Sequence, residues 1–157
     1  MAHGLHWGEA YSVGHDGLDA EHCALIAAIN GICARGPDDD VSVLHALIED
    51  FRKIAARHFE SESTILRAVI ASAATESYSP VFLKSMSDAV LHEHVEHHAS
   101  ENIELNSILA TGQLNAGRLC HELENWFSKH AVKYDAHLKA LFQAMQSDCP
   151  KLFQRLS

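Results

Sequence analysis

Apolar residues recur at three- and four-residue intervals along four stretches of the chain, the period of a helix with one buried face. In the first stretch Leu18, His22, Leu25, Ile26, Ile29 and Ile32 share one stripe, with Asp19 as a candidate cap and Gly36-Pro37 as a stop. The second carries Leu44, Leu47, Phe51, Ile54, Ala55, His58, Glu62, Ile65 and Leu66, preceded by Asp38 to Asp40 as cap candidates and N-terminal negative charge. The pattern fades from Ala71 to Tyr78, and Ser79-Pro80 then suits the start of a third helix. Its inward positions read Leu83, Met86, Val90, His94, His98, Glu101 or Asn102, Leu105 and Ile108, ending near Gly112. A fourth begins after Asn115 and shows Leu119, Leu123, Trp126, Phe127, His130, Tyr134, Leu138, Leu141 and Phe142 before Pro150. The spacing predicts helices over roughly 19–35, 41–71, 80–111 and 116–146. Four amphipathic helices with short or moderate links imply an all-α, antiparallel up-down-up-down four-helix bundle in one domain spanning 1–157. Residues 1–17 carry Gly4, Gly8, Gly14 and Gly17 without steady periodicity and read as an irregular arm anchored by Trp7. Residues 151–157 show no informative pattern.

Ionisable residues interrupt all four stripes. His22, the pair His58 and Glu62, the pair His94 and His98, and His130 with Asp135 fall on or beside core-facing positions. Such groups are costly to bury unless something pairs with them, and a metal ion is an economical common partner. An inward histidine taken singly is more often a hydrogen-bonded core residue. Joint interruption of four helices at similar depth favours a shared site. Residues four apart on a helix differ by roughly 40° in direction and about one turn in height, so each such pair can address one ion or two adjacent ions. Asp135 lies five residues after His130, roughly 140° away on an ideal helix, so periodicity alone does not select it over a solvated aspartate. A local widening of the helix would bring it round.

Composition narrows the setting. The chain has 157 residues, 47% of them hydrophobic, and only three prolines, which permits long helices and one real core. The formal net charge is −9 with scattered Lys and Arg, which argues against nucleic acid or an anionic membrane surface as partner. Cys23, Cys33, Cys120 and Cys149 show no CxxC or zinc-type spacing and read as reduced thiols that pack. No basic end followed by an apolar run opens the chain and no stretch is long enough to span a bilayer, so a cytoplasmic monomer is expected.

The segments LDAEH ending at His22, HFESE from His58 to Glu62, HVEHH from His94 to His98, and HAVKYD from His130 to Asp135 resemble the ligand motifs of the hemerythrin family, in its bacteriohemerythrin branch. Trp7 followed by YSVG at 11–14 is similar to that family's lead-in to its first helix. The likeness runs in the family's order to about Phe142 and matches all seven of its ligand positions. It implies two non-haem iron ions with an oxo or hydroxo bridge inside the bundle, and reversible O2 binding. On that resemblance His22, His58, His94, His98 and His130 would be terminal ligands, with Glu62 and Asp135 bridging. Two six-coordinate irons offer about twelve positions, and this donor set with one bridge fills about eleven, leaving one for a small molecule. O2 is the expected ligand, with azide or nitric oxide as alternatives. An apolar pocket would discourage proton delivery and loss of bound O2 as peroxide.

Some positions depart from the family pattern. The thirty-one residues between Glu62 and His94 make an extended link, a candidate lid or partner surface. Glu101 stands one turn after His98 where the family often has an apolar or aromatic residue, and Ser63 follows Glu62 where a second Glu is common. Glu101 or Glu60 would supply protons to the pocket if either entered it. His92, His97, His121 and His137 lie mostly off the inward stripe and are expected to face solvent, while His3 and His6 could take adventitious metal. Cys23 adjoins His22 but points roughly 100° away, which favours packing over redox sensing. The competing functions are a di-iron enzyme acting on peroxide or nitric oxide, and a sensor or partner-binding module. Carboxylate-rich ligation is the mark of O2-activating ferritin-like oxidases, and this chain has the opposite balance.

Overall fold

The computed structural model describes residues 4–36, 38–75, 80–111 and 115–157, with side chains omitted from the description over 73–75 and 80–87. Every regular element among them is helical. A short 3-10 turn at Glu9–Tyr11 leads into α1 (Asp16–Cys33), followed by α2 (Val41–Thr75), α3 (Pro80–Thr111) and α4 (Ala116–Lys129). A π-helical segment at His130–Tyr134 then joins α4 to α5 (Ala136–Asp148), and α6 (Pro150–Leu156) closes the chain. Contacts run from α1 to α2, α2 to α3, α3 to α4 and back from α4 to α1.

Local chemistry sets several of the N-terminal ends. Asn115 caps α4 by accepting the Arg118 N–H at 2.9 Å, and Asp40 accepts the Ser42 N–H at 2.8 Å ahead of α2. The cap of α1 differs from the sequence reading, because extended His15 rather than Asp19 accepts the Leu18 N–H. Asp19 instead sits one turn inside the helix and reaches back to the Ser12 hydroxyl (2.6 Å) and the Val13 N–H (2.8 Å). The arm therefore ends at His15. Its tethers also differ: Trp7 is 41% exposed, whereas Asn30 holds both polar backbone groups of Leu5 and the Tyr11 ring packs on the edge of Phe127. The proposed cap Ser79 and the stops at Pro37 and Gly112 lie outside the described residues, as does His3; the side chains of Leu83 and Met86 are likewise outside the description.

Two further differences come from the C-terminal third. Cys33 and Cys120 form a disulfide between the end of α1 and the start of α4, which corrects the expectation of thiols only. The absence of any motif spacing had suggested packed thiols, and a separation of 87 residues gave no local signal that these two face each other. Residues 150–156 form α6, with Pro150 preorganised for the first turn, Leu152 buried and the Leu156 carbonyl receiving the His15 Nε2–H at 2.6 Å.

Two apolar clusters make up the core. One gathers Leu25, Ile29, Ile32, Phe51, Leu105, Leu119, Leu123, Trp126 and Phe127. The other gathers Val13, Leu18, Leu66, Val69, Val90, Leu138, Phe142 and Met145. Between them lies a belt of buried polar residues: His22, His58, Glu62, His94, Glu101, His130 and Asp135. Along α1 and α3 the chain passes from the second cluster through the belt to the first, and along α2 and α4 to α5 it passes the opposite way. No helix found among the described residues is long and apolar enough to cross a membrane.

Candidate metal centre

Each belt residue stands where its helix crosses from one apolar cluster to the other. His22 follows Leu18 by one turn on α1; His58 and Glu62 bridge Ala55 and Leu66 on α2; His94 and His98 lie between Val90 and Leu105 on α3. Surrounding apolar contacts fix these side chains and remove water from them, so five of the seven sequence-selected donors are at most 3% exposed. His94 and His98 are the more open pair, at 8% and 13%.

Asp135 arrives by way of the π-helical segment. Its N–H bonds to the carbonyl of His130, five residues back, at 3.0 Å. The wide turn lines residue 135 up with residue 130, as residues four apart line up on an ordinary helix. The aspartate oxygen Oδ2 then lies 3.1 Å from His22 Nε2 and 3.2 Å from His130 Nε2. Tyr134, expected inward, is only half-buried.

The donor atoms fall into two groups that share Glu62. One atom from each of His22, His58, Glu62, His130 and Asp135 lies within 4.8 Å of the others, and the same holds for Glu62, His94 and His98. Glu62 Oε1 is 3.2 Å from His58 Nε2 and 3.9 Å from His130 Nε2, while Oε2 is 2.7 Å from His98 Nε2. All seven residues proposed from the sequence are thus brought together. His22 Nε2, Glu62 Oε1 and Asp135 Oδ2 are buried without a hydrogen-bond partner, an arrangement that is expensive unless a cation satisfies them. The donor set therefore fits a metal ion, and Glu62 turns one oxygen to each of the two groups.

The outward nitrogens are engaged as well. His22 Nδ1–H donates to the Tyr11 carbonyl at 2.7 Å. His58 Nδ1 faces Glu21 Oε2 at 3.1 Å, and Ser61 Oγ–H steadies the same carboxylate at 2.8 Å. His130 Nδ1 faces Glu101 Oε1 at 2.9 Å. Such partners fix the tautomer so that Nε2 is the donor turned to the centre, and they raise its basicity. Glu21 was not singled out from the sequence, since its partner is 37 residues away and local spacing cannot reveal it. Glu101 was expected as an inward candidate and proton supplier that departs from the family pattern, but its contact with His130, 29 residues away, could not be read from local spacing.

Without an ion the centre stores protons unevenly. Burial works against charge on His58, but Glu62 and Glu21 outweigh it and raise this histidine to about 10. Burial favours a protonated Glu62, yet His58, His98 and His130 hold it well below the usual carboxylate range. His130 is pushed down to about 4 by burial despite its carboxylate neighbours, and His94 to about 4 by burial and the His98 charge. The opposite shifts of His58 and His130 agree with their geometry, because their Nε2 atoms are 2.9 Å apart and only one can carry the proton between them. Burial and the Glu62 charge push Asp135 up, and burial raises Glu101 to about 8. Glu101 lines a narrow cleft with His94, His98 and Asp135 that admits about one water-sized molecule, and its Oε2 is buried without a partner.

In comparisons with known proteins, no family model, curated protein or solved structure matches this chain.

Proposed function

We propose that this chain is a hemerythrin-type di-iron protein that binds O2 reversibly for storage, delivery or sensing, within an up-down-up-down four-helix bundle. One observation carries the reading: Glu62 turns one oxygen toward each of two histidine-rich donor groups, buried between apolar clusters. The alternating order in which the helices meet the two clusters supports the bundle topology. His22, His58, His94, His98 and His130 would be the terminal ligands, and Glu62 and Asp135 would bridge. When bound, the iron pair supplies the electrons that a reversible O2 adduct requires. The chain's own contribution is to hold the donors before the ion arrives, through Tyr11, Glu21 and Glu101 at the outward nitrogens, and to keep bulk water from the centre. The reading includes a cytoplasmic, monomeric protein, in which the Cys33–Cys120 bond would be open to reduction.

The test is a visible spectrum. A reduced sample loaded with two irons per chain should change absorption reversibly between nitrogen and air, and azide should compete for the same position. A loaded, reduced sample that forms no adduct in air overturns the proposal.

A specific observation favours a second reading, an enzyme acting on peroxide or nitric oxide. Glu101 lines the cleft beside His94 and His98 and carries a buried, unpartnered carboxyl oxygen, where a purely apolar wall would better protect bound O2 from protons. Turnover of peroxide or nitric oxide that falls in Glu101→Leu at equal iron loading would favour the enzyme. Equal and negligible rates in both proteins would count against it.

A further inference from the structure

The centre is buried, so an ion needs a route to it. His22, His58, His130 and Glu62 are fully covered, and His94 and His98 are the donors nearest to solvent. The cleft that reaches them is also lined by His97, Tyr134 and His137, two of these being histidines expected to face solvent. His92 and His121 do lie outside, beside Glu96 and Asn125. His97 and His137 are partly exposed and border the cleft as well.

At the outer end of the cleft, His137 on α5 meets the Glu93 carboxylate on α3 through Nε2. His97 stands one turn after Glu93 on the same helix, with its ring 6.1 Å from that of His137 and inclined by 23°. Its ring also packs on Tyr134 at 4.5 Å. The side chains of His137 and Glu93 are 40% and 46% exposed, which leaves them reachable from solvent. Two imidazoles and a carboxylate are donors suited to divalent first-row transition ions. Among the described residues these three are not gathered as tightly as the inner groups. They would have to swing together around an ion, and the cost of that movement makes for weak binding, which suits capture followed by release. The net charge of −9 further raises the local concentration of cations.

We propose that Glu93, His97 and His137 form a capture site for a divalent first-row transition ion, from which the ion passes along the cleft to His94 and His98. The capture site stands on its own residues; only the destination rests on the metal-centre reading.

The test compares the metal-free wild type with the double variant His97→Gln, His137→Gln, both checked for folding by circular dichroism. In equilibrium dialysis with zinc alone, the wild type should hold one weakly bound ion more than the double variant. Uptake of ferrous ion under nitrogen, followed by stopped flow, should slow about tenfold in the variant while the final amount of tightly held iron stays the same. Equal zinc stoichiometry overturns the capture site. A lost zinc ion with unchanged uptake overturns its role in loading. Should the wild type hold no iron tightly, the metal-centre reading fails, and the zinc difference still decides the capture site.

Discussion

His130 shows how much depends on the two sides of one ring. Its Nε2 lies among the central donors and its Nδ1 on Glu101. In Glu101→Leu a buried N–H loses its acceptor, at a cost of about 1–3 kcal/mol, and metal affinity should fall about 10- to 100-fold. Glu101→Gln keeps an oxygen for that N–H and should retain most of both, as thermal unfolding and metal titration would measure. The protonation pattern gives a second expectation. His94 and His130 sit near 4 in the folded, metal-free protein and rise toward 6.5 when it unfolds. Between those values the unfolded chain takes up protons that the folded chain refuses. Stability contributed by their neutral forms is complete above pH 6.5 and is lost as pH falls toward 4, by ~1.4 kcal/mol per pH unit for each proton. Glu101 and Asp135, raised by burial, hold protons that their unfolded forms release and so offset part of this loss. In Glu101→Gln, where one offset is gone, denaturant midpoints of the metal-free protein should decline more steeply from pH 6.5 to 4.5 than in the wild type, and parallel profiles would contradict this. Six of the seven central residues were legible in the sequence because each interrupts an apolar stripe at helical spacing. Asp135 was legible only through family resemblance, and the carboxylates behind the rings were hidden because their partners come from other helices.

At the scale of elements, helix existence followed from periodicity, and the ends followed less well because they depend on contacts made at a distance. His15 displaces Asp19 as the cap of α1 while its other nitrogen is occupied by the C-terminal α6, an element whose few residues show no stripe of their own. The bond between Cys33 and Cys120 ties α1 to α4, the helices that carry His22 and lead to His130. A link closing a loop with a sequence separation of 87 residues restricts the unfolded chain strongly. Replacing both cysteines by serine, or adding a thiol reductant, should lower the unfolding free energy by about 2–4 kcal/mol. Denaturant titration with and without reductant would measure it, and the serine variant should no longer respond to reductant.

For the whole molecule, the polar belt is the layer where the two apolar clusters fail to meet. Buried polar atoms left without partners make the metal-free protein less stable, so an ion bound only by the folded state should raise the unfolding temperature with the logarithm of its concentration over Kd. A chelator should reverse the gain, and calorimetry before and after chelation gives the size of it. The wide turn at His130–Tyr134 also acts as a phase shifter for everything after it. One additional residue per turn rotates the remainder of the helical run by roughly 100°. The face turned to the second cluster is consequently Leu138, Leu141, Phe142 and Met145, whereas an unbroken helix would lead from His130 toward Tyr134 and His137. Deleting exposed Val132 should thus do more than disturb one carboxylate: it should swing α5 out of register, uncovering side chains worth about 1.5–3 kcal/mol each, and unfold that end of the protein even without metal. The same irregularity that aims Asp135 at the centre decides which side of α5 is the inside.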